Sequence, residues 1–175
     1  ALESFASSPR GRALLSDPDF LSVPLGLLSI AANARRSGHE AKLLNLTRTP
    51  WTELVSLVPL LDADLFALSC FTINRFGLFE TAKLLRHHHP HQPILIGGPF
   101  ATALPEATLR SCEAIDIVVV GEGEQTFLEL LRALEKGSDL EGIQGLALRK
   151  GSSIIRTEPR PRIRKLDQLE PYDRD

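Results

Sequence analysis

The chain has 175 residues, 43% hydrophobic and 24% charged, with 20 Lys+Arg against 22 Asp+Glu and a formal charge of −2. This composition excludes a basic nucleic-acid binder and an acidic disordered chain, and it suits one domain with one core. No apolar run approaches a membrane span, and two cysteines exclude a disulfide scaffold, a Cys-only zinc site and a chain-internal iron–sulfur cluster. That cysteine usage suits a reducing cytoplasm.

Taken in chain order, residues 12–16 (RALLS) read as a short strand. Residues 25–38 repeat apolar positions at helix spacing and stop at Gly38. Residues 41–46 (AKLLNL) read as a strand. Residues 51–61 read as a helix with Pro50 at its start. Residues 65–71 are an apolar strand, and 76–88 a helix ended by Pro90. Residues 93–96 are a strand running into Gly97-Gly98, 105–112 a short helix, 115–120 a strand and 124–135 a helix. Five strand–helix repeats with near-continuously apolar strands imply a five-stranded parallel sheet with helices on both faces. The fold class is therefore α/β, doubly wound and Rossmann-like. Beyond residue 142 the pattern changes: 145–149 and 153–157 read as a C-terminal β-hairpin, and 156–164 (RTEPRPRIR) as an extended linker.

In such a sheet, ligands bind beyond the carboxyl ends of the strands. The loops there read DPDFLSVPLG (17–26), SCFTINR (69–75), GGPFAT (97–102) and GEGEQT (121–126). Three of the four are rich in glycine and hydroxyl residues, which bring backbone N–H groups and small polar side chains close to a ligand. No GxxxxGK[ST] is present, and no GxGxxG follows the first strand. Glu122 and Glu124 would repel a pyrophosphate and suit amide, hydroxyl or cationic groups.

The segments PLGLLSIAANARRSGHEAKLLNL, LFALSCFT, ILIGGPFAT and IDIVVVGEGEQTFLELLRAL resemble the cobalamin-binding domain that precedes the catalytic barrel in B12-dependent radical SAM enzymes. The resemblance covers residues 12–175 and is strongest in GGPFAT and VVGEGEQTF. It implies a flavodoxin-like domain over 1–142 that binds cobalamin. Residues 143–175 would then be a hairpin and linker leading to a radical SAM domain on sequence beyond this chain. SAM and a 4Fe–4S cluster would belong to that domain, since no CxxxCxxC is present here. The missing Met and the tail KLDQLEPYDRD fit the expectation of a piece of a longer protein.

Cobalamin domains of the methionine-synthase and mutase type are similar in carrying DxHxxG, then SxL, then GG. Ser69-Cys70-Phe71 stands where SxL would, and Gly97-Gly98 where GG would. Counting back from Ser69 across residues 27–68 reaches Gly26, which places Leu21 and Val23 at the motif's Asp and His. Val23 cannot coordinate a metal, so the resemblance implies base-off cobalamin with no histidine below the cobalt. Leu21, Val23, Pro24 and Leu25 would offer an apolar floor beside Gly26. Gly97 and Gly98 would let the nucleotide tail pass, and Ser69 would bond its base or ribose. Cys70, Phe71, Arg75, Pro99, Phe100 and Ala101 belong to the same loops. Thr72, Asn74 and Thr102 would meet the corrin's amide arms, as would the GEGE loop (Gly121, Glu122, Gly123, Glu124) with Thr126. No residue of this chain is expected to be catalytic by itself.

Two other readings stay open on the residues alone: a Rossmann-like nucleotide or nucleotide-sugar domain, and a flavodoxin-like interaction module without a ligand. His87, His88 and His89 cannot converge on one ion while helical, because adjacent positions point about 100° apart. Neither nucleic acid nor membrane is expected as a partner.

Overall fold

A computed structural model describes residues 25–163. The strand expected over 12–16 therefore lies outside the described residues, as do Leu21, Val23 and Pro24. The first helix, α1 (Leu25–Arg36), is followed by irregular chain and then by α2 (Trp51–Leu57), which tightens into a 3-10 turn over Val58–Leu60. The order continues β1 (Phe66–Ser69), α3 (Arg75–His88), β2 (Ile94–Gly97), α4 (Pro99–Ala103), α5 (Pro105–Ser111), β3 (Ile117–Val119), α6 (Gly123–Glu135), β4 (Leu146–Lys150) and β5 (Ser153–Arg156).

Five strands form one sheet in the order β1-β2-β3-β4-β5. The first three are parallel, in registers that run Phe66↔Ile94 to Ser69↔Gly97 and Leu95↔Ile117 to Ile96↔Val118. Each pair is joined through helices, as a parallel crossover requires. The sheet departs from the all-parallel expectation at its far edge. β4 lies antiparallel to β3 (Val119↔Leu146, Ile117↔Leu148), and β5 antiparallel to β4 (Ala147↔Arg156). The expected hairpin is thus part of the sheet. Its two-residue turn puts Gly151, at φ 61°, in the first central position, where a type II′ turn takes glycine.

Residues 41–46 do not form a strand. Pairing makes a strand, and no described segment pairs with these residues. Leu44 is half exposed, and only Ala41 and Leu46 of its neighbours reach the core. A helix was missed at Pro99–Ala103, where Pro99 fixes φ at the first helical position straight after Gly98.

The strands alternate their side chains between two cores. Ile94, Ile96 and Val118 join Leu54, Val58, Leu85 and Leu109 under α2, α3 and α5. Leu95, Ile117 and Val119 join Ala34, Phe127 and Leu130 under α1 and α6. Period-two alternation in apolar strands therefore supports helices on both faces. At the amino edge of β2 and β3, Asp116 accepts from the Ile94 N–H at 2.8 Å and from Arg86 at 2.5 Å. Arg86 also donates to the carbonyls of Pro90 (2.9 Å) and Gln92 (3.0 Å), which fastens the end of α3 to the start of β2. This arrangement leaves the opposite, carboxyl edge free for loops.

Candidate functional site

The loops after β1, β2 and β3 meet at that carboxyl edge, and they are three of the four loops singled out from the sequence. The fourth, 17–26, is described only for Leu25 and Gly26, which open α1 and are exposed.

Gly98 adopts φ 95° and ψ 176°, a region essentially restricted to glycine. A Cβ there would lie 2.7 Å from the Cys70 carbonyl oxygen and 3.0 Å from its nitrogen. The close approach that demands glycine is thus to the neighbouring loop. Around it, the Cys70 N–H donates to the Gly97 carbonyl at 2.8 Å and the Phe100 N–H donates to the Cys70 carbonyl at 3.1 Å. At Gly97 a Cβ would meet only ordinary contacts with Val119, at 3.8 and 3.9 Å. At Gly121, with φ 85°, a Cβ would meet nothing within 4 Å. Gly121 alone of the two borders open space.

The loop after β1 is braced from inside. Asn74 accepts from the Phe71 N–H at 2.8 Å and donates to the Ser69 carbonyl at 3.2 Å, so both ends of its amide hold the loop. Arg75 donates to the Thr72 carbonyl, and its guanidinium lies 4.1 Å over the Phe76 ring and 5.9 Å from that of Phe100. The hydroxyl of Thr102, on α4, accepts from the Gly121 N–H at 3.0 Å and ties the second loop to the third. Ser69 is half-buried at the end of β1, and Ala101 is buried behind Phe100. Gly123 packs α6 against α1: a Cβ there would lie 3.0 Å from Ile30 Cδ1. Glu124 stands in the first turn of α6, where a carboxylate favours the helix dipole.

Phe71, Ile73, Phe76 and Leu104 are about half exposed around this edge. Separately, a cavity of about 470 Å³ opens between Gly98, Thr102, Gly121 and Glu122 on one side and the chain that follows β5 on the other, and none of these four apolar residues lines it. The sequence reading missed part of this site. It named Phe71 and included Ile73 in a candidate loop, but did not single out the exposed Phe76 and Leu104. Residues 156–164 were read as an extended linker, whereas Arg156, Thr157, Pro159 and Arg160 line the cavity. The signal was present in the alternation of prolines and arginines in RTEPRPR, a stiff segment with guanidinium groups at regular intervals.

Burial pushes the Cys70 thiol from 9.0 up to about 11, against a smaller downward pull from Arg75. Burial also raises that of Cys112. A thiol raised in the fold stays protonated where the unfolded chain has already ionised. The unfolded state then binds fewer protons, and stability falls as pH rises from about 9 towards 11. The urea midpoint is expected to decline over that interval, and Cys70→Ala to flatten part of the decline. An unchanged slope in the variant would show that Cys70 does not titrate in the fold as its burial requires. Among the described residues no group of three or more His, Cys, Asp or Glu could hold a metal ion. His89 instead sits buried, its Nε2 2.8 Å from the Val58 carbonyl and its ring 4.8 Å from Phe66. No described helix is long and apolar enough to cross a membrane.

A glycine-bordered edge with half-exposed aromatics fits a large ligand that is part apolar plane and part amide. The family model for the B12 binding domain matches residues 11–131. The chain belongs to the B12-binding family. A relative from Pyrococcus horikoshii, an uncharacterised methyltransferase, is 32% identical over 148 residues, which is 83% of this chain and 32% of that protein. The anaerobic magnesium-protoporphyrin IX monomethyl ester cyclase of Synechocystis is 36% identical, covering 82% of this chain and 30% of the relative. Among solved structures, the radical S-adenosylmethionine methyltransferase TsrM from Kitasatospora setae, with cobalamin and an iron–sulfur cluster bound, superposes with a TM-score of 0.69 at 23% identity. That match covers 86% of this chain and 28% of TsrM. At that identity the likeness is one of fold, and it agrees with the flavodoxin-like expectation. The chain spans about a third of the length of these curated relatives.

The cofactor of the B12-binding family is cobalamin, and the edge described here accommodates it. Gly121 leaves backbone open to a close ligand, Ser69 carries a hydroxyl at this edge, and Phe71, Ile73 and Phe76 present exposed apolar surface.

Proposed function

We propose that this chain is the cobalamin-carrying module of a B12-dependent radical SAM enzyme, a methyltransferase, and that it holds the cofactor base-off without a histidine ligand. The observation that carries the reading is the cavity at the carboxyl edge, lined by the loops after β2 and β3 and by the chain that follows β5, with Gly121 unobstructed beside it. Two relatives named as methyltransferases support the chemistry: the Pyrococcus protein and the cobalamin-dependent radical SAM methyltransferase TokK, 29% identical over 115 residues. The base-off state rests on Val23, which occupies the place of the motif histidine and lies outside the described residues.

Cobalamin supplies a cobalt centre that carries a methyl group. The chain's own residues hold the cofactor's periphery. Phe71, Ile73 and Phe76 would cover apolar parts of the cofactor and keep water from them. Ser69 and the Gly97 and Gly121 backbones would hold its tail and amide arms, while Asn74 and Arg75 keep the first loop in shape. The iron–sulfur cluster, SAM and substrate belong to a partner domain.

The test is a visible spectrum. Purified protein is mixed with hydroxocobalamin, reduced and desalted. Corrin bands retained near one per chain, at base-off wavelengths, are expected. Loss of every corrin band, together with thermal stabilisation by a nucleotide, would replace this reading with a Rossmann-like one. A retained base-on spectrum would remove the base-off part alone.

A further inference from the structure

Residues 157–163 leave β5 at the same edge and cross in front of the cavity. Thr157 is buried and still bonded as part of the sheet: its N–H donates to the Leu146 carbonyl at 3.0 Å and its hydroxyl accepts from the Leu146 N–H at 2.9 Å. Beyond it, the Gly145 N–H donates to the Glu158 carbonyl at 2.8 Å, the last bond between main-chain groups to the body of the domain among the described residues. Two side-chain contacts then hold the segment. The Arg160 guanidinium, its side chain only 11% exposed, pairs with Glu129 and donates from Nε to the Thr126 hydroxyl at 2.7 Å. That hydroxyl donates in turn to the Gln144 carbonyl at 3.1 Å. Further out, the Ile163 N–H donates to a Glu122 carboxylate oxygen at 2.5 Å. Pro159 and Pro161 keep the run between these contacts extended.

We infer that this segment is a wall of the cofactor cavity with two unequal latches, Arg160 within and Glu122 without, and that cobalamin binding and latching of the downstream chain favour each other. The inference rests on the cobalamin reading above. Arg160 is mostly buried and bonded to both Glu129 and Thr126, so it holds whether or not the cofactor is present. Glu122 is exposed, and its bond competes with water, so it opens readily. A ligand lying between Gly98, Gly121 and residues 159–162 touches both sides of the cavity. By linkage, whatever factor the latched wall adds to cobalamin affinity, cobalamin adds to latching. On this account Glu122 bonds the chain's own backbone, a different partner from the cofactor amides implied by the sequence resemblance.

Trypsin reports the outer latch directly. The Arg162–Ile163 bond carries the N–H that Glu122 holds, whereas Arg160 is followed by proline and resists the enzyme. Saturating hydroxocobalamin is expected to slow cleavage at Arg162–Ile163 about tenfold. Glu122→Ala is expected to speed cleavage of the cofactor-free protein, and to raise the cobalamin Kd by the same factor by which cobalamin slows cleavage of the wild type. Arg160→Ala should expose the whole segment, with Arg160→Lys a partial rescue. Equal cleavage rates with and without bound cobalamin would overturn the inference. So would a Glu122→Ala variant that binds cobalamin more weakly yet is cut, cofactor-free, at the wild-type rate, because Glu122 would then contact the cofactor directly. Failure of the wild-type chain to retain any corrin would instead overturn the cofactor reading beneath.

Discussion

Gly98→Ala is expected to destabilise the fold by about 3 kcal/mol and to abolish retention of cobalamin on desalting. Two terms add. The backbone at φ 95° and ψ 176° disfavours any side chain, and the new Cβ would lie 2.7 Å from the Cys70 carbonyl oxygen. Neither term relaxes cheaply, because both sides of the contact are main chain held by bonds between Cys70 and Gly97 and between Phe100 and Cys70. Any relief must separate the loop after β1 from the start of α4, and Pro99 and Thr102 of α4 line the cavity. Urea unfolding measures the first effect and the corrin spectrum the second. A variant of wild-type stability that keeps its corrin would mean that the two loops are not locked together at this point. Gly97→Ala is the informative companion, since its Cβ meets only ordinary contacts within the fold. A loss of cobalamin there without loss of stability would locate the cofactor itself.

Asp116→Ala should be nearly as destabilising, at about 2 kcal/mol, yet leave cobalamin affinity unchanged. The carboxylate accepts from a β2 backbone N–H and from Arg86, both part-buried, so its removal strands two donors. Arg86 keeps the carbonyls of Pro90 and Gln92, which limits the loss. The site lies at the amino edge of the sheet, a full strand length from the cofactor loops. Asp116→Asn keeps an acceptor for Ile94 and should recover part of the stability. A drop in cobalamin affinity in Asp116→Ala beyond the fraction unfolded would show that strain passes along β2 and β3 to the opposite edge.

Local signals in the sequence proved reliable where they were dense. Helices α1, α3 and α6 begin and end within a residue or two of expectation, because apolar spacing and stop residues such as Gly38 and Pro90 act within one turn. The three loops at the carboxyl edge were legible because strand order alone puts them on one side. Residues 41–46 were misread because an apolar tally cannot say whether a pairing partner exists. The hairpin was found but its place was not, since its pairing with β3 depends on contacts about 30 residues apart, which no local pattern encodes. Gly98 was singled out as room for a ligand's tail, whereas the constraint visible in the fold comes from Cys70, a neighbour only in space. The partners of Arg160, at positions 126 and 129, could likewise be assigned only after folding.

The antiparallel hairpin also settles the parity of the chain's traversals. A run of parallel β–α units delivers the chain back to the amino edge after every helix, so a domain stopping at α6 would release its sequence on the side away from the cofactor. The stretch between α6 and β4 returns the chain to the carboxyl edge, and β4 and β5 then add one descent and one ascent. Residues after Arg156 therefore start beside the cofactor loops with no spacer needed to travel around the body of the domain. Removing the hairpin alone would keep that routing, since its descent and ascent cancel, whereas removing it together with the stretch that follows α6 would leave the chain at the amino edge.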